Sequence, residues 1–329
     1  MSPAIPTAIA LLLAMVLQAP PRADWNTAPR EDWQDLFNGR DLDGWVVKLH
    51  RHELGDNYGD TFRVEHGAIR VMYDRYGEGF GDRFGHLFYE EPFSHYVLSL
   101  EYRFFGTQQE GGPDYAKLNS GVMFHSQAPG TILKDQDWPI SVEAQFLAGG
   151  RTTMNVCTPG TEIFMGGEMV QAHCTNSSSK IYDDHAWVAV QVEVLGSARV
   201  RHLIDGRAVL QYEKPSIGGG VANRFDPAVK KDGTLLEEGY IGLQAESQPV
   251  EFRNIRLLNL SGCMEPDSPA SRDYFVQRDD SRCADEDAEK GAASHQRRDR
   301  REPAISARSA SPDHASRARR ARFQGHSAR

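Results

Sequence analysis

The chain has 329 residues, 40% of them hydrophobic, with a formal net charge of −9. That is enough apolar material for a buried core, and an acidic balance argues against nucleic acid as the main partner. The charge is uneven: residues 284–329 hold eleven Lys/Arg against seven Asp/Glu, which leaves the rest of the chain at −13.

The N-terminus reads MSPAIPTAIALLLAMVLQAPPRADW. Its apolar run from Ala8 to Leu17 has the length of a signal-peptide core and is too short to span a bilayer. Cleavage is expected after Ala23, because Pro20 would obstruct cleavage after Ala19. Residues 1–23 are thus read as a signal peptide and the mature protein as periplasmic or secreted, although no Lys or Arg precedes the apolar run. No later segment is apolar enough for a transmembrane helix.

From Asp24 to Gly262 helix signals are scarce, and strand signals recur between Gly, Asp and Asn. In chain order they are 60–73, 86–105, NSGVMFHS (119–126), ISVEAQFLAGG (140–150), 187–196, 199–212 and 239–257. Asp205-Gly206 between two of them signals a type I′ hairpin. The pattern predicts an all-β domain over 24–262, a two-sheet antiparallel β-sandwich of jelly-roll type. Long loops are expected at 50–60, 106–118, 151–182 and 216–238. Alternation sets the faces: Val142, Ala144 and Phe146 point one way and Glu143 and Gln145 the other. Ile241, Leu243 and Ala245 likewise oppose Gln244 and Glu246, and Trp187, next to the Val188–Val194 stripe, is expected in the core.

Four cysteines fit an exported protein. Spacing does not fix their connectivity, and three pairings are possible. The local pairing, Cys157–Cys174 and Cys263–Cys283, is the expected one, each loop contributing about 3 kcal/mol. A rival reading makes Cys157, His173 and Cys174 metal ligands, but it lacks a second close cysteine pair. Residues 263–283 form a cysteine-bounded extension. The tail at 284–329 is too poor in apolar residues to fold and is read as a disordered basic segment.

The polar faces supply candidate site residues. Glu143, mid-strand opposite an apolar stripe, is the leading catalytic base or metal ligand. His125 and His173 are further catalytic candidates, imidazoles being able to act as bases near neutral pH. Gln145, Gln244, Glu246 and Asn119 are suited to sugar hydroxyls, and Trp138, just ahead of the Glu143 strand, to stacking on a sugar ring. A divalent metal held by Glu143, His125 and His173 is compatible with these ligand types, but spacing does not demand one.

Several motifs occur together in a fixed order: LFNGRDLDGW (36–45), VEHG (64–67), NSGV (119–122), VEAQ (142–145), IDG (204–206) and GYIGLQ (239–244) followed by VEFRNIRL (250–257). In this order the chain resembles the 3-keto-disaccharide hydrolase domain family over about residues 33–258. The resemblance implies a concanavalin-like jelly roll acting on sugars whose C3 hydroxyl has become a ketone. It also implies cleavage by elimination at C1–C2 and then hydration, downstream of a separate sugar 3-dehydrogenase. Two other readings stand beside it. One is a non-catalytic carbohydrate-binding jelly-roll module; the other is an ordinary glycosidase using Glu143 and Glu246.

Overall fold

The computed structural model describes Trp25, Ala28 and residues 30–261. The expected signal peptide, the Cys263–Cys283 pair and the basic tail lie outside the described residues. Among the described residues there is no α-helix, only short 3-10 turns, and no helix is long and apolar enough to cross a membrane. The expected all-β sandwich is what forms.

Seven strands make the smaller sheet, in the order β12 (Cys174–Thr175), β9 (Asn155–Cys157), β8 (Val142–Leu147), β7 (Asn119–Ser126), β16 (Tyr240–Ala245), β5 (Gly85–Tyr89) and β2 (Trp45–Leu49). The larger sheet runs β11 (Glu168–Met169), β10 (Thr161–Met165), β15 (Arg207–Ile217), β14 (Arg199–Ile204), β13 (Val188–Leu195), β6 (His95–Phe104), β17 (Val250–Asn259), β4 (Ala68–Val71) and β3 (Phe62–Glu65), with β1 (Trp33–Asp35) also on β17. Every strand pair in both sheets is antiparallel.

The apolar stripes meet between the sheets. Phe146 on β8 stacks on Tyr102 of β6 at 4.2 Å between ring centres and lies 6.5 Å from Phe252 of β17. Val122, Ala144, Leu243 and the four valines of β13 are buried in the same layer. Full burial of a large aliphatic or aromatic side chain contributes about 1.5–3 kcal/mol, so this layer is the main source of stability. The β14–β15 hairpin turns at Asp205 and Gly206 with φ of 51° and 69°, the left-handed pair a type I′ turn requires.

Two expectations need correction. The segment 151–182 is not a plain loop but carries the short strands β9 to β12, pieces of two to five residues, too brief to show alternation. Trp187 is not in the core. One residue out of phase with the valines, it lies between the guanidinium groups of Arg103 and Arg253, 4.6 and 3.9 Å from its ring centre. The same outer face holds a buried charge cluster. Glu193 on β13 accepts hydrogen bonds from Trp25 Nε1 at 3.1 Å and from Arg199 and Arg201 Nε at 3.2 and 2.8 Å.

Candidate active site

The residues of the smaller sheet that point away from the core line up in cross-strand rows. Lys48, His86 and Gln244 are successive Cα partners across three strands, and Gly121, Gln145 and Asn155 across the next three, with Leu243 opposite Val122 where the two runs adjoin. The next row contains Phe88, Gly242, Met123, Glu143, Cys157 and Cys174. Period-two alternation therefore places Glu143, Gln145 and Gln244 on one face although they are up to 101 positions apart in the chain.

A cavity of about 380 Å³ opens on this face. Its walls include Glu143, Gln145, Gln244, Glu246, Asn119, Trp138 and His173, seven of the eight residues singled out from the sequence. They are not equally deep. Glu143, Gln244, Asn119 and Glu246 are 6, 1, 4 and 4% exposed, whereas His173 sits at the solvent-facing rim.

The floor is polar and short of protein partners. Glu143 Oε1, Gln244 Oε1, Glu246 Oε2 and Asn119 Oδ1 are buried without a hydrogen-bond partner in the protein. Leaving a buried polar atom unsatisfied costs about 1–3 kcal/mol, so four such atoms around one cavity point to a ligand that satisfies them. Burial raises the Glu143 carboxyl to about 8, against a smaller opposing effect of a hydrogen bond from the Gln244 side chain. Burial also pushes Glu246 well above the usual carboxylate range, with the nearby Glu143 charge adding to it and Arg151 opposing it. Glu143 is therefore largely protonated at neutral pH and ionises close to it, and Glu246 is shifted in the same direction.

Glycine makes room for this arrangement. Gly121 is the cross-strand partner of Gln145, and a Cβ there would lie 2.5 Å from Glu143 Oε1 and 2.9 Å from its Cγ. The Glu143 side chain thus lies back over the neighbouring strand, as a bare backbone permits.

The rim is built from loops. Cys157 and Cys174 are joined in a disulfide, as expected for the local pairing, which fixes β12 against β9 beside Glu143. The His173 carbonyl accepts hydrogen bonds from Thr158 N and Oγ1 at 3.0 and 3.2 Å, and partial burial lowers its imidazole pKa. Trp138 is backed by Phe84 and His86, at 4.9 and 6.0 Å between ring centres. Arg151 brings positive charge to the wall, its Nε held by the Ala148 carbonyl at 2.9 Å and its Nη2 by the Leu118 carbonyl at 3.0 Å.

His125 does not join the others. The backbone at His125 is left-handed, φ 48°, where the β7–β16 register slips between Tyr240 and Gly242. Alternation fails at such an irregularity, and His125 Nε2 donates to the Gly196 carbonyl in the β13–β14 turn at 3.1 Å. Burial lowers this imidazole to about 4, and it lines a separate cavity of about 290 Å³ with Ile140, Ile217 and Tyr240.

The Glu143–His125–His173 metal-ligand set is not assembled, because His125 lies apart. Cys157, His173 and Cys174 bring their ligand atoms within 4.8 Å of one another, but the two sulfurs are bonded to each other and offer no thiolate. Arg151, Tyr115 and Val221 are wall residues that sequence reasoning missed. They come from loops and, for Tyr115, a three-residue 3-10 turn (Asp114–Ala116), where no periodicity marks the face a side chain takes.

Comparison with known proteins gives the following. A family profile described as "3-keto-alpha-glucoside-1,2-lyase-like domain" matches residues 32–258. No curated protein matches. A glycosyl hydrolase candidate from Parabacteroides distasonis ATCC 8503, known from a crystal structure, is 19% identical with a TM-score of 0.43, over 72% of this chain and 99% of its own. The carbohydrate binding module CBM66 from Bacillus subtilis is 12% identical with a TM-score of 0.39, over 66% of this chain and 96% of its own.

Proposed function

Since the chain belongs to the 3-keto-alpha-glucoside-1,2-lyase-like domain family, we propose that it cleaves 3-keto-glycosides by elimination across C1–C2 followed by hydration. The observation that carries the reading is Glu143: a buried carboxyl with one unpartnered oxygen, facing a cavity and ionising near pH 8.

A C3 ketone acidifies the proton on C2. A base removes that proton, and its electron pair forms the enolate of C2 and C3. The enolate collapses to C1=C2 with the C3 carbonyl restored, the C1–O bond breaks, and the aglycone oxygen leaves with that electron pair and is protonated. Water then adds its oxygen to C1 and a proton to C2. Such a reaction needs a base stronger than an ordinary carboxylate, and burial supplies one in Glu143. With a pKa of about 8, roughly one molecule in ten holds it ionised at pH 7.

In this reading Glu246, whose carboxyl burial shifts toward the protonated form, donates a hydrogen bond to a developing oxyanion or to the departing oxygen. The Arg151 charge favours the enolate, and His173 at the rim is a second proton carrier. Gln145, Gln244 and Asn119 bind hydroxyls and Trp138 stacks on the ring. The paired-carboxylate glycosidase reading differs in its substrate, since it predicts cleavage of an unoxidised glycoside. We further take the protein as exported, working on ketones that a separate sugar 3-dehydrogenase supplies.

The test is a paired assay on a 3-keto-glucoside and its unoxidised parent, with and without chelator. Turnover of the ketone alone is expected, lost in Glu143→Gln while binding is largely kept. Equal cleavage of the parent glucoside, or full activity of Glu143→Gln, would overturn the proposal.

A further inference from the structure

The cavity has a polar floor, and its mouth carries exposed apolar side chains beside His173. Tyr115 and Val221, both on its wall, are 57 and 41% exposed and belong to the small set of large apolar side chains open to solvent among the described residues. A rim intended only for sugar hydroxyls has no need of either.

Val221 is held there against its own preference. Its φ is 73°, and the Ala222 N–H donates to the Gly220 carbonyl at 3.0 Å, closing a three-residue γ-turn with Val221 at its centre. A β-branched residue resists this conformation more than almost any other, and such outliers persist where the surroundings over-determine them. Here they do. The Gly220 carbonyl also accepts from Gly160 N at 2.7 Å. Asn223 is fastened to Asp137, backbone N to Oδ1 at 2.7 Å and Nδ2 to Oδ2 at 2.8 Å. The same Asp137 Oδ1 accepts from the backbone N of Trp138 at 2.7 Å, and Ala222 is buried against Ile140 and Ile217. These contacts anchor the residues on both sides of Val221, whose exposed side chain lines the cavity. Glycine would fit the same turn without strain, so the side chain is what the strain retains.

Tyr115 is tied to the floor as well. Its backbone carbonyl accepts a hydrogen bond from Asn119 Nδ2 at 3.2 Å, which ties the main chain carrying the rim ring to a buried floor residue.

We propose that Tyr115 and Val221 form a leaving-group subsite for an apolar, aromatic aglycone. This rests on the reading that the sugar occupies the polar floor with its C1 substituent directed toward the mouth. A flat ring there would cover both exposed side chains and displace their hydration water.

The experiment compares aryl and methyl 3-keto-β- and 3-keto-α-glucosides as substrates for the full chain. Wild type is expected to favour the aryl leaving group in KM as well as in kcat. Tyr115→Ala, Val221→Gly and the polar isostere Val221→Thr should each lower the aryl-to-methyl ratio of kcat/KM about threefold to tenfold, mainly through KM. Thermal melts establish that each variant is folded, and Val221→Gly relieves rather than adds backbone strain. An unchanged ratio in folded Val221→Thr and Tyr115→Ala would overturn the subsite. Calorimetric binding of the unoxidised aryl and methyl glucosides separates the two proposals. Aryl-selective binding that Tyr115→Ala abolishes, without turnover of any ketone, sinks the elimination chemistry and keeps the subsite; ketone turnover with no aryl selectivity does the reverse.

Discussion

The carboxyl of Glu143 lies over Gly121, so closely that a single added carbon at 121 would come within 2.5 Å of Oε1. Gly121→Ala leaves the backbone in an ordinary strand conformation but must push Glu143 out of place. Activity is expected to fall on the order of a hundredfold or more, since small displacements of a reacting group carry such costs, while the melting temperature changes little. A variant with unaltered kcat/KM would show that Glu143 is not positioned for chemistry.

The pH dependence follows from the same residue. If ionised Glu143 is the base, kcat/KM on a 3-keto substrate rises with pH and levels off above about 8. A profile flat from pH 6 to 9 would exclude it.

Stability should run the other way. The folded chain keeps a proton on Glu143 up to about pH 8, whereas the unfolded chain releases it near 4.5. Between those values the native state binds more protons, so the stability this group contributes is lost as pH rises from about 4.5 to 8. Glu143→Gln cannot ionise and is therefore expected to match the parent near pH 4 and exceed it by about 2–4 kcal/mol near pH 8.5. Urea titrations at the two pH values measure the difference.

Removing the Cys157–Cys174 bond, which spans 17 residues, should cost about 3 kcal/mol. Because the bond also fixes the strand pair beside Glu143, reduction should lower turnover before the protein unfolds. Denaturant midpoints and initial rates with and without a dithiol check both effects.

On the opposite sheet, Glu193 is fully buried between Arg199 and Arg201. Glu193→Ala leaves the arginines without their counter-charge and is expected to destabilise by about 3–5 kcal/mol. Folded material at low temperature should retain its kcat, since the cluster lies across the core from the cavity.

The sandwich and the cavity floor were legible in the sequence because both obey the period of two. The valines of β13 and the alternation of β8 and β16 state which side is apolar and which is polar, and the fold honours it. What escaped is what alternation cannot encode. The reversal of His125 comes from one left-handed residue at a bulge, which its neighbours do not announce. Arg151, Tyr115 and Val221 reach the cavity from loops whose course is set by distant partners such as Asp137. Trp187 was misplaced for a simpler reason: it sits one step out of phase with the valines that follow it.

Glu143 and Val142 are neighbours on one strand, one facing the cavity and the other the hydrophobic layer. Sliding β8 by a single position against β7 would exchange them, thrusting a carboxylate into oil and greasing the catalytic floor. Misregistered chains would therefore be both inert and sticky, so specific activity doubles as a gauge of folding fidelity in any preparation of this protein.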